Sequence, residues 1–343
     1  MNRKTIIAMP VKCFCTVVMN AKYIYWELSH YCNLRCKQCF ARANNDASTI
    51  VDREVLFNAI NKVADANMSA IRFGGGEPLM VPYLFDLMKL CRSRGISVDI
   101  TSNGMLLNEA ALRQLSLLGL RELTISIDGL EKNHDFLRGQ GTYSRLQQIL
   151  DNAIDKADFP ISLGFTVTSI NQHEIRDFVE AHYKKGIRKF YFFRYCGDNH
   201  ADQLALNPDQ LRRATEVICQ LPAAFPEARF ISEGASFYNF LITGDGCREG
   251  CNFLNGILTI DYLGDLIVCA ATNRKLGNIY TDEFSGLLKA IDREQQAIRE
   301  IPEACSGCVH REVCHGGCKS KSYSQYQNYS NRDLLCFYTV PKE

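Results

Sequence analysis

The sequence predicts an α/β fold whose framework is a parallel sheet. Two observations carry that expectation. Over the first two-thirds of the chain, six β-like runs are separated by five amphipathic helical runs, and strict alternation calls for crossovers between parallel strands. The residues with chemical character, Cys32, Gly74, Asn103 and Asp128, fall where such runs end, which is where parallel α/β folds gather their sites. Six units with right-handed crossovers make either a doubly wound sheet or an incomplete barrel, and periodicity alone does not choose.

Taken in order, "YIYWELS" from Tyr23 to Ser29 reads as the first strand. Asp52 is placed to cap a helix that runs to Ala66. "AIRF" is the second strand and ends in the glycines of "GGGEP". The helix that follows, from Pro82, is stopped by Gly95. "SVDITSNG" is the third strand with its turn, "NEAALRQLSLLG" a helix, and "ELTISIDG" the fourth strand. "TYSRLQQILDNAIDKA" is a helix, "ISLGFTVT" a strand, "HEIRDFVEAHYKKG" a helix and "IRKFYFFRY" the sixth strand. Beyond Tyr195 the pattern changes. A helical run from Pro208 to Cys219 meets a break at Pro222 and Pro226, and from Gly244 the chain is rich in Cys and Gly and short of long helices. These shifts divide the chain into an N-terminal extension (1–22), a core (23–200), a bridging region (201–244) and a Cys-rich unit (245–343).

Composition narrows the function classes. The 343 residues are 46% hydrophobic and 22% charged, which suits a globular enzyme-sized chain with a sizeable core. Lys and Arg number 39 against 38 Asp and Glu, so a broad nucleic-acid-binding surface is not expected. No apolar run is long enough to span a bilayer, and Lys12 interrupts the early apolar stretch before any cleavage-like site, so no membrane association and a cytoplasmic location are expected. The chain has 16 cysteines. In a reducing compartment, clustered thiols bind metal rather than one another.

Three of them, Cys32, Cys36 and Cys39, lie within "CNLRCKQCF". Structural zinc takes four protein ligands. Three thiolates on one short loop suit an iron–sulfur cube better, with one iron left open to bind a small molecule. The C-x3-C-x2-C spacing after the first strand, with "GGEP" after the second, resembles the radical S-adenosylmethionine (SAM) superfamily. The resemblance covers about Tyr23 to Tyr195 and implies an incomplete (β/α)6 TIM-like barrel. It also implies a 4Fe-4S cluster whose open iron is chelated by SAM, and an oxidoreductase that cleaves SAM to a 5′-deoxyadenosyl radical. On the same resemblance, Gly75, Gly76, Glu77 and Pro78 contact the methionine amine, Ser126 the ribose and Arg138 the carboxylate. The residue before the third cysteine is usually aromatic in this family; here it is Gln38, and Phe40 follows the cysteine as the remaining aromatic candidate for the cofactor.

The C-terminal cysteines extend the resemblance. Cys251, Gly264, Cys269, then Cys305, Cys308, Cys314 and Cys318 in the spacing C-x2-C-x5-C-x3-C, and finally Cys336, resemble the SPASM extension of this superfamily. Cys247 supplies an eighth thiolate. The resemblance assigns Cys247, Cys251, Cys269 and Cys318 to an inner auxiliary 4Fe-4S cluster and Cys305, Cys308, Cys314 and Cys336 to an outer one, with two structural zinc sites as the alternative content. Cys13, Cys15, Cys91, Cys196 and Cys219 are left over, and Cys196 follows the sixth strand. Fully ligated clusters suit electron transfer, so the chemistry implied is oxidation of a peptide or protein side chain, as in maturases of ribosomally made peptides. The alternatives are a small metabolite (sugar, cyclitol or nucleoside-derived) as substrate, or a non-catalytic iron–sulfur electron carrier. Ala270, directly after Cys269, argues against formylglycine formation, since that branch carries Asp there. A flavodoxin- or ferredoxin-type donor is the expected reductant. The short stretch before Tyr23 leaves leader-peptide binding to a separate protein or to the enzyme's own surface. Phe237, Tyr238 and Phe240, in "FYNF", are candidates to line a cleft at the domain junction.

Overall fold

The computed structural model describes residues 23–197, 202–233, 251–270, 272 and 274–338. Its framework is one ten-stranded sheet. In chain order the strands are β1 (Tyr23–Glu27), β2 (Ala70–Gly74), β3 (Ser97–Ser102), β4 (Glu122–Ser126), β5 (Ile161–Val167), β6 (Lys189–Arg194), β7 (Arg229–Glu233), β8 (Ile257–Ile260), β9 (Asp265–Ile267) and β10 (Lys275–Asn278). Their order across the sheet is β10-β9-β8-β1-β2-β3-β4-β5-β6-β7. Every pair from β8 through β7 is parallel; β9 and β10 are antiparallel additions.

The helices between parallel strands are α1 (Arg53–Asp65), α2 (Leu84–Ser93), α3 (Glu109–Leu117), α4 (Glu131–Arg138), α5 (Thr142–Lys156), α6 (Ile175–Lys184) and α7 (Pro208–Ala224). Each buries one stripe; in α1 this is Leu56, Ala59, Ile60 and Val63. Capping follows the sequence. Asp52 accepts from the Glu54 and Val55 amides, Asn108 from Ala111, and Asn207 forms a capping box with Gln210 ahead of Pro208. The strands carry Trp26, Phe73, Phe165, Phe190 and Phe192, all fully buried in the core.

One polar contact shows that the sheet curls. Arg72 on β2 donates from Nη2 to the Tyr191 hydroxyl on β6 at 3.1 Å, although β3, β4 and β5 lie between them in the sheet. Flat strands spaced about 4.8 Å apart would hold those positions far beyond contact. Because β10 and β7 stand at opposite edges of the order, the barrel is incomplete.

Three expectations are corrected. The framework does not stop at six strands: α7 and β7 form a further unit, with β7 paired to β6. Pro222 does not end its helix, which runs to Ala224 with the proline inside its last turn. The C-terminal region does contain a long helix, α8 (Phe284–Arg299), which buries Leu287, Ile291, Glu294 and Ile298. Glu294 is tolerated inside because Arg274 binds both its oxygens at 3.0 and 3.1 Å and the Tyr329 hydroxyl donates at 2.6 Å. Two short helices follow, α9 (Arg311–Cys314) and α10 (Lys319–Tyr326). Among the described residues, no helix is long and apolar enough to cross a membrane.

Candidate functional site

The loop that carries Cys32, Cys36 and Cys39 leaves the C-terminal end of β1 and is fastened on two sides. Tyr31 bridges Asn44, and the Cys32 amide donates to the Asn44 carbonyl at 2.8 Å. On the other side the amides of Gly76 and Glu77 donate to the carbonyls of Ser29 and Tyr31 at 2.7 and 2.8 Å. That approach requires glycine: a Cβ at Gly76 would overlap the Tyr31 carbonyl, and Gly75 has φ +101°. The glycines after β2 therefore seat the cysteine loop directly.

Glu77 continues the fastening. Its buried carboxylate accepts from the Leu79 amide (3.1 Å), the Ser102 hydroxyl (2.9 Å) and the Asn103 amide (2.8 Å). Burial pushes the Glu77 carboxyl up, while these hydrogen bonds work against that shift. Asn103 in turn points its Nδ2 at the Cys32 sulfur, 3.6 Å away. Pro78 opens a single 3-10 turn beyond Glu77. The ends of β1, β2 and β3 are thus tied through one carboxylate and one amide.

Each sulfur of the loop receives an N–H group. Cys32 accepts from the Leu34 amide at 3.4 Å, Cys39 from the Ala43 amide at 3.4 Å, and Cys36 from Arg138 Nη1 at 3.8 Å. Arg138, at the end of α4, is held by Asp128: its Nε donates to Oδ2 at 2.6 Å. Asp128 is fully buried just beyond β4; it also accepts from the Thr166 amide at 2.6 Å and from Gln38 Nε2. Burial works against the charge on Arg138, and Asp128 and Cys36 outweigh it, raising its pKa. Gln38, in the usual aromatic position, is therefore a buried partner of Asp128, and its Oε1 is left without a hydrogen bond. Phe40 is half exposed, its ring 6.1 Å from that of Tyr25, and Ser126 is half buried at the end of β4.

The C-terminal thiols fall into two groups. Cys305, Cys308, Cys314 and Cys336 form one: burial and then the neighbouring Cys336 thiolate raise Cys305, and the same causes push Cys314 up to about 12. Cys251, Cys269 and Cys318 form the other: burial and then Cys269 push Cys251 up to about 12, with Cys318 adding to it. Cys196 follows β6, and its sulfur donates to the Arg194 carbonyl at 3.2 Å. Cys91 and Cys219 stand apart, Cys91 inside the barrel's apolar core. Cys247, Cys13, Cys15, Phe237, Tyr238 and Phe240 lie outside the described residues. None of the described cysteines is in a disulfide.

Among the described residues, no three or more His, Cys, Asp or Glu side chains gather tightly enough to hold a single metal ion, so the fit of a cluster rests on the donor chemistry. That chemistry fits. Three sulfurs with an N–H on each, beside a buried guanidinium, suit thiolates that carry charge inside a protein.

Residues 26–192 match the family model described as the Radical SAM superfamily. A curated relative, the AdoMet-dependent heme synthase of Methanosarcina barkeri, is 24% identical over 94% of this chain and 98% of its own. The mycofactocin maturase MftC of Mycobacterium ulcerans is 24% identical over 87% of this chain and 83% of its own. Among solved structures, Streptococcus suis SuiB bound to S-adenosylmethionine superposes with a TM-score of 0.75 at 18% identity, covering 92% of this chain and 77% of that one. A second SuiB structure contains its precursor peptide SuiA.

Proposed function

Because this chain is an enzyme of the radical SAM superfamily, we propose that it oxidises a side chain of a peptide or protein substrate, using one SAM-binding 4Fe-4S cluster and two auxiliary ones. The observation that carries the oxidative outcome is the seating of the C-terminal thiols. The Cys318 amide donates to Asp333, which binds Arg194 at the end of β6, and β6 ends on the same side of the parallel sheet as the loop bearing Cys32, Cys36 and Cys39. When bound, SAM at the open iron would supply a hydrogen-atom acceptor, and the auxiliary clusters would supply an electron acceptor.

The chain's own residues do the positioning. Cys32, Cys36 and Cys39 ligate the SAM cluster. The Glu77 carboxylate is already committed to Leu79, Ser102 and Asn103, so the contact of Gly75–Pro78 with the methionine amine falls to backbone carbonyls. Asp128 takes Nε of Arg138 and leaves the outer edge of the guanidinium for the SAM carboxylate. Ser126 would face the ribose and Phe40 the adenine. Cys305, Cys308, Cys314 and Cys336 hold the outer cluster.

The peptide substrate is supported by the maturase among the relatives and by the likeness to a peptide-binding structure. A second reading, an iron-tetrapyrrole substrate, is favoured by the heme synthase, which this chain matches over nearly its whole length. The test begins with the anaerobically loaded full chain. It should hold about twelve irons, a third of them lost when Cys32, Cys36 and Cys39 become Ala. It should release 5′-deoxyadenosine, and that variant should not. Co-expression with each short reading frame beside the gene should then give a peptide lighter by two hydrogens per site. Unchanged peptides, together with turnover of an iron-tetrapyrrole, would decide for the second reading. A loaded protein that never cleaves SAM would sink both.

A further inference from the structure

Beside the cysteine loop, three segments meet to form a basic rim: residues 33–37 after β1, 103–107 after β3, and 136–145 from the end of α4 into α5. The Lys37 amide donates to the Leu137 carbonyl at 2.9 Å, Asn103 Nδ2 to Asn33 Oδ1 at 2.7 Å, and Arg145 Nη2 to the Met105 carbonyl at 3.3 Å. Together the segments carry four basic side chains, Arg35, Lys37, Arg138 and Arg145, and no acidic one, in a chain whose overall charge is balanced. Asp135, just before the third segment, is buried and turned inward to the Gly141 and Tyr143 amides, at 2.7 and 2.8 Å.

Asp128 answers the charge of Arg138. The other three cations are exposed, and their contacts do not cancel them. Arg35 Nη1 donates to the Cys32 carbonyl at 2.8 Å, Arg145 donates to the Met105 carbonyl, and Lys37 Nζ stands 3.4 Å from the centroid of the Phe136 ring. Carbonyls and a ring hold these groups in place and leave their charge for an outside anion. Phe136 and Leu106 are 49% and 37% exposed, so the rim is apolar as well as basic. A small phosphate or carboxylate ligand would make no use of those two side chains. An acidic protein surface would use both: the apolar pair as its anchor and the cations as its margin. Half-buried Cys36 lies between Arg35 and Lys37 in the chain, with its sulfur 3.8 Å from Arg138 Nη1, so a sulfur of the site stands next to this surface.

We propose that the rim of Arg35, Lys37 and Arg145, with Phe136 and Leu106, docks a small acidic protein that carries one electron, and that this is where the electron enters. This rests on the reading that Cys32, Cys36 and Cys39 hold a 4Fe-4S cluster. The carrier is oxidised by one electron, the cluster is reduced by one, and no bond forms or breaks. The cations speed the encounter, and the two apolar side chains fix the docked pose.

The experiment uses full chains loaded anaerobically, with an acidic flavodoxin and an acidic ferredoxin as probes. Binding of each oxidised probe is measured by titration calorimetry at low and high salt. Wild type should bind at least one probe, and more weakly in high salt. The K37E/R145E variant should bind it at least about tenfold more weakly, with K37R and K156E like wild type. Lys156 stands at the other end of α5. Release of 5′-deoxyadenosine driven by the reduced probe should fall with binding, and dithionite, which needs no docking, should restore it. Unchanged binding by K37E/R145E, or equal weakening by K156E, overturns the proposal. So does a wild type that cleaves SAM with dithionite and binds neither probe. Probe binding kept while peptide modification is lost would also overturn it and give the rim to an acidic substrate. A wild type that never cleaves SAM with dithionite would instead overturn the underlying reading. If K37E/R145E does not hold its iron, Phe136→Ser decides, since it changes no charge and lies outside the cysteine loop: it should weaken probe binding, and unchanged binding overturns the proposal.

Discussion

Removing the negative charge from the buried Arg194–Asp333 pair tests how firmly the C-terminal region is fastened to the barrel. Neither side chain is exposed, and the carboxylate also accepts from the Cys318 and Leu335 amides. In Asp333→Asn the guanidinium keeps its charge and loses its counterion. An uncompensated buried charge costs about 3–5 kcal/mol, a large part of the roughly 5–15 kcal/mol by which a folded chain is stable. The Lys184–Glu180 pair on α6 is the control. Its side chains are 71% and 48% exposed, and a pair of that kind contributes under about 0.5 kcal/mol. The assay is thermal unfolding of the metal-free full chain at neutral pH, followed by far-UV circular dichroism. D333N should lower the midpoint by roughly 4–7 °C and E180Q by about 1 °C or less. The double variant R194M/D333L should recover most of the loss, because both charges leave together. The sign of the pH dependence is fixed as well. Burial pushes the Asp333 carboxyl up, but Arg194 and the hydrogen bonds outweigh it and hold it below the usual carboxylate range. The pair's contribution is therefore complete above the unfolded carboxylate pKa and fades as pH falls through the folded one, so the gap between wild type and D333N should close in acid. A D333N midpoint within about 2 °C of wild type at neutral pH would refute the reasoning.

Two further outcomes follow. Gly76→Ala would push a Cβ into the Tyr31 carbonyl, so it should loosen the cysteine loop; on the proposed ligation by Cys32, Cys36 and Cys39, it should cut that cluster's iron and leave the EPR signals of the proposed auxiliary clusters unchanged. Burial pushes His134 and His182 down from 6.5 to about 4; the folded state then binds fewer protons than the unfolded one, so stability should fall as pH drops from 6.5 to about 4, and His182→Gln should flatten that slope.

Much of the barrel is legible in the sequence because alternation of period-two and period-3.6 patterns is a local property. Asp52 and Asn108 cap their helices through side chains that reach only two or three residues ahead. The further unit is less legible: Pro222 reads as a break, yet near the end of α7 it removes only one amide from a helix already held by Leu211, Ala214, Ile218 and Leu221. Helix α8 is masked by its inward Glu294, which becomes acceptable only when Arg274 and Tyr329 arrive from elsewhere. At the site, the spacing of Cys32, Cys36 and Cys39 with the glycines after β2 points to the chemistry. The use of those glycines against Ser29 and Tyr31, and of Gln38 against Asp128, depends on tertiary approach that no spacing encodes. A tetrapyrrole as substrate was not among the sequence-based expectations; it enters through a relative.

Strand β1 has consequences for the order of assembly. It lies between β2 and β8, and Tyr23 is in register with both Ala70 and Ile257. During synthesis, β2 emerges soon after β1, but the partner on the other side waits until most of the chain has left the ribosome. Until then β1 is an edge, with unpaired amides and carbonyls next to the nascent cysteine loop. Closing that gap is a long-range, parallel pairing, the slowest kind of strand addition. Chain elongation past residue 257, rather than formation of the earlier strands alone, therefore sets when the strand that carries the cysteine loop gains both its neighbours. A ribosome stalled before residue 257 would hold a nearly complete barrel with an adhesive flank.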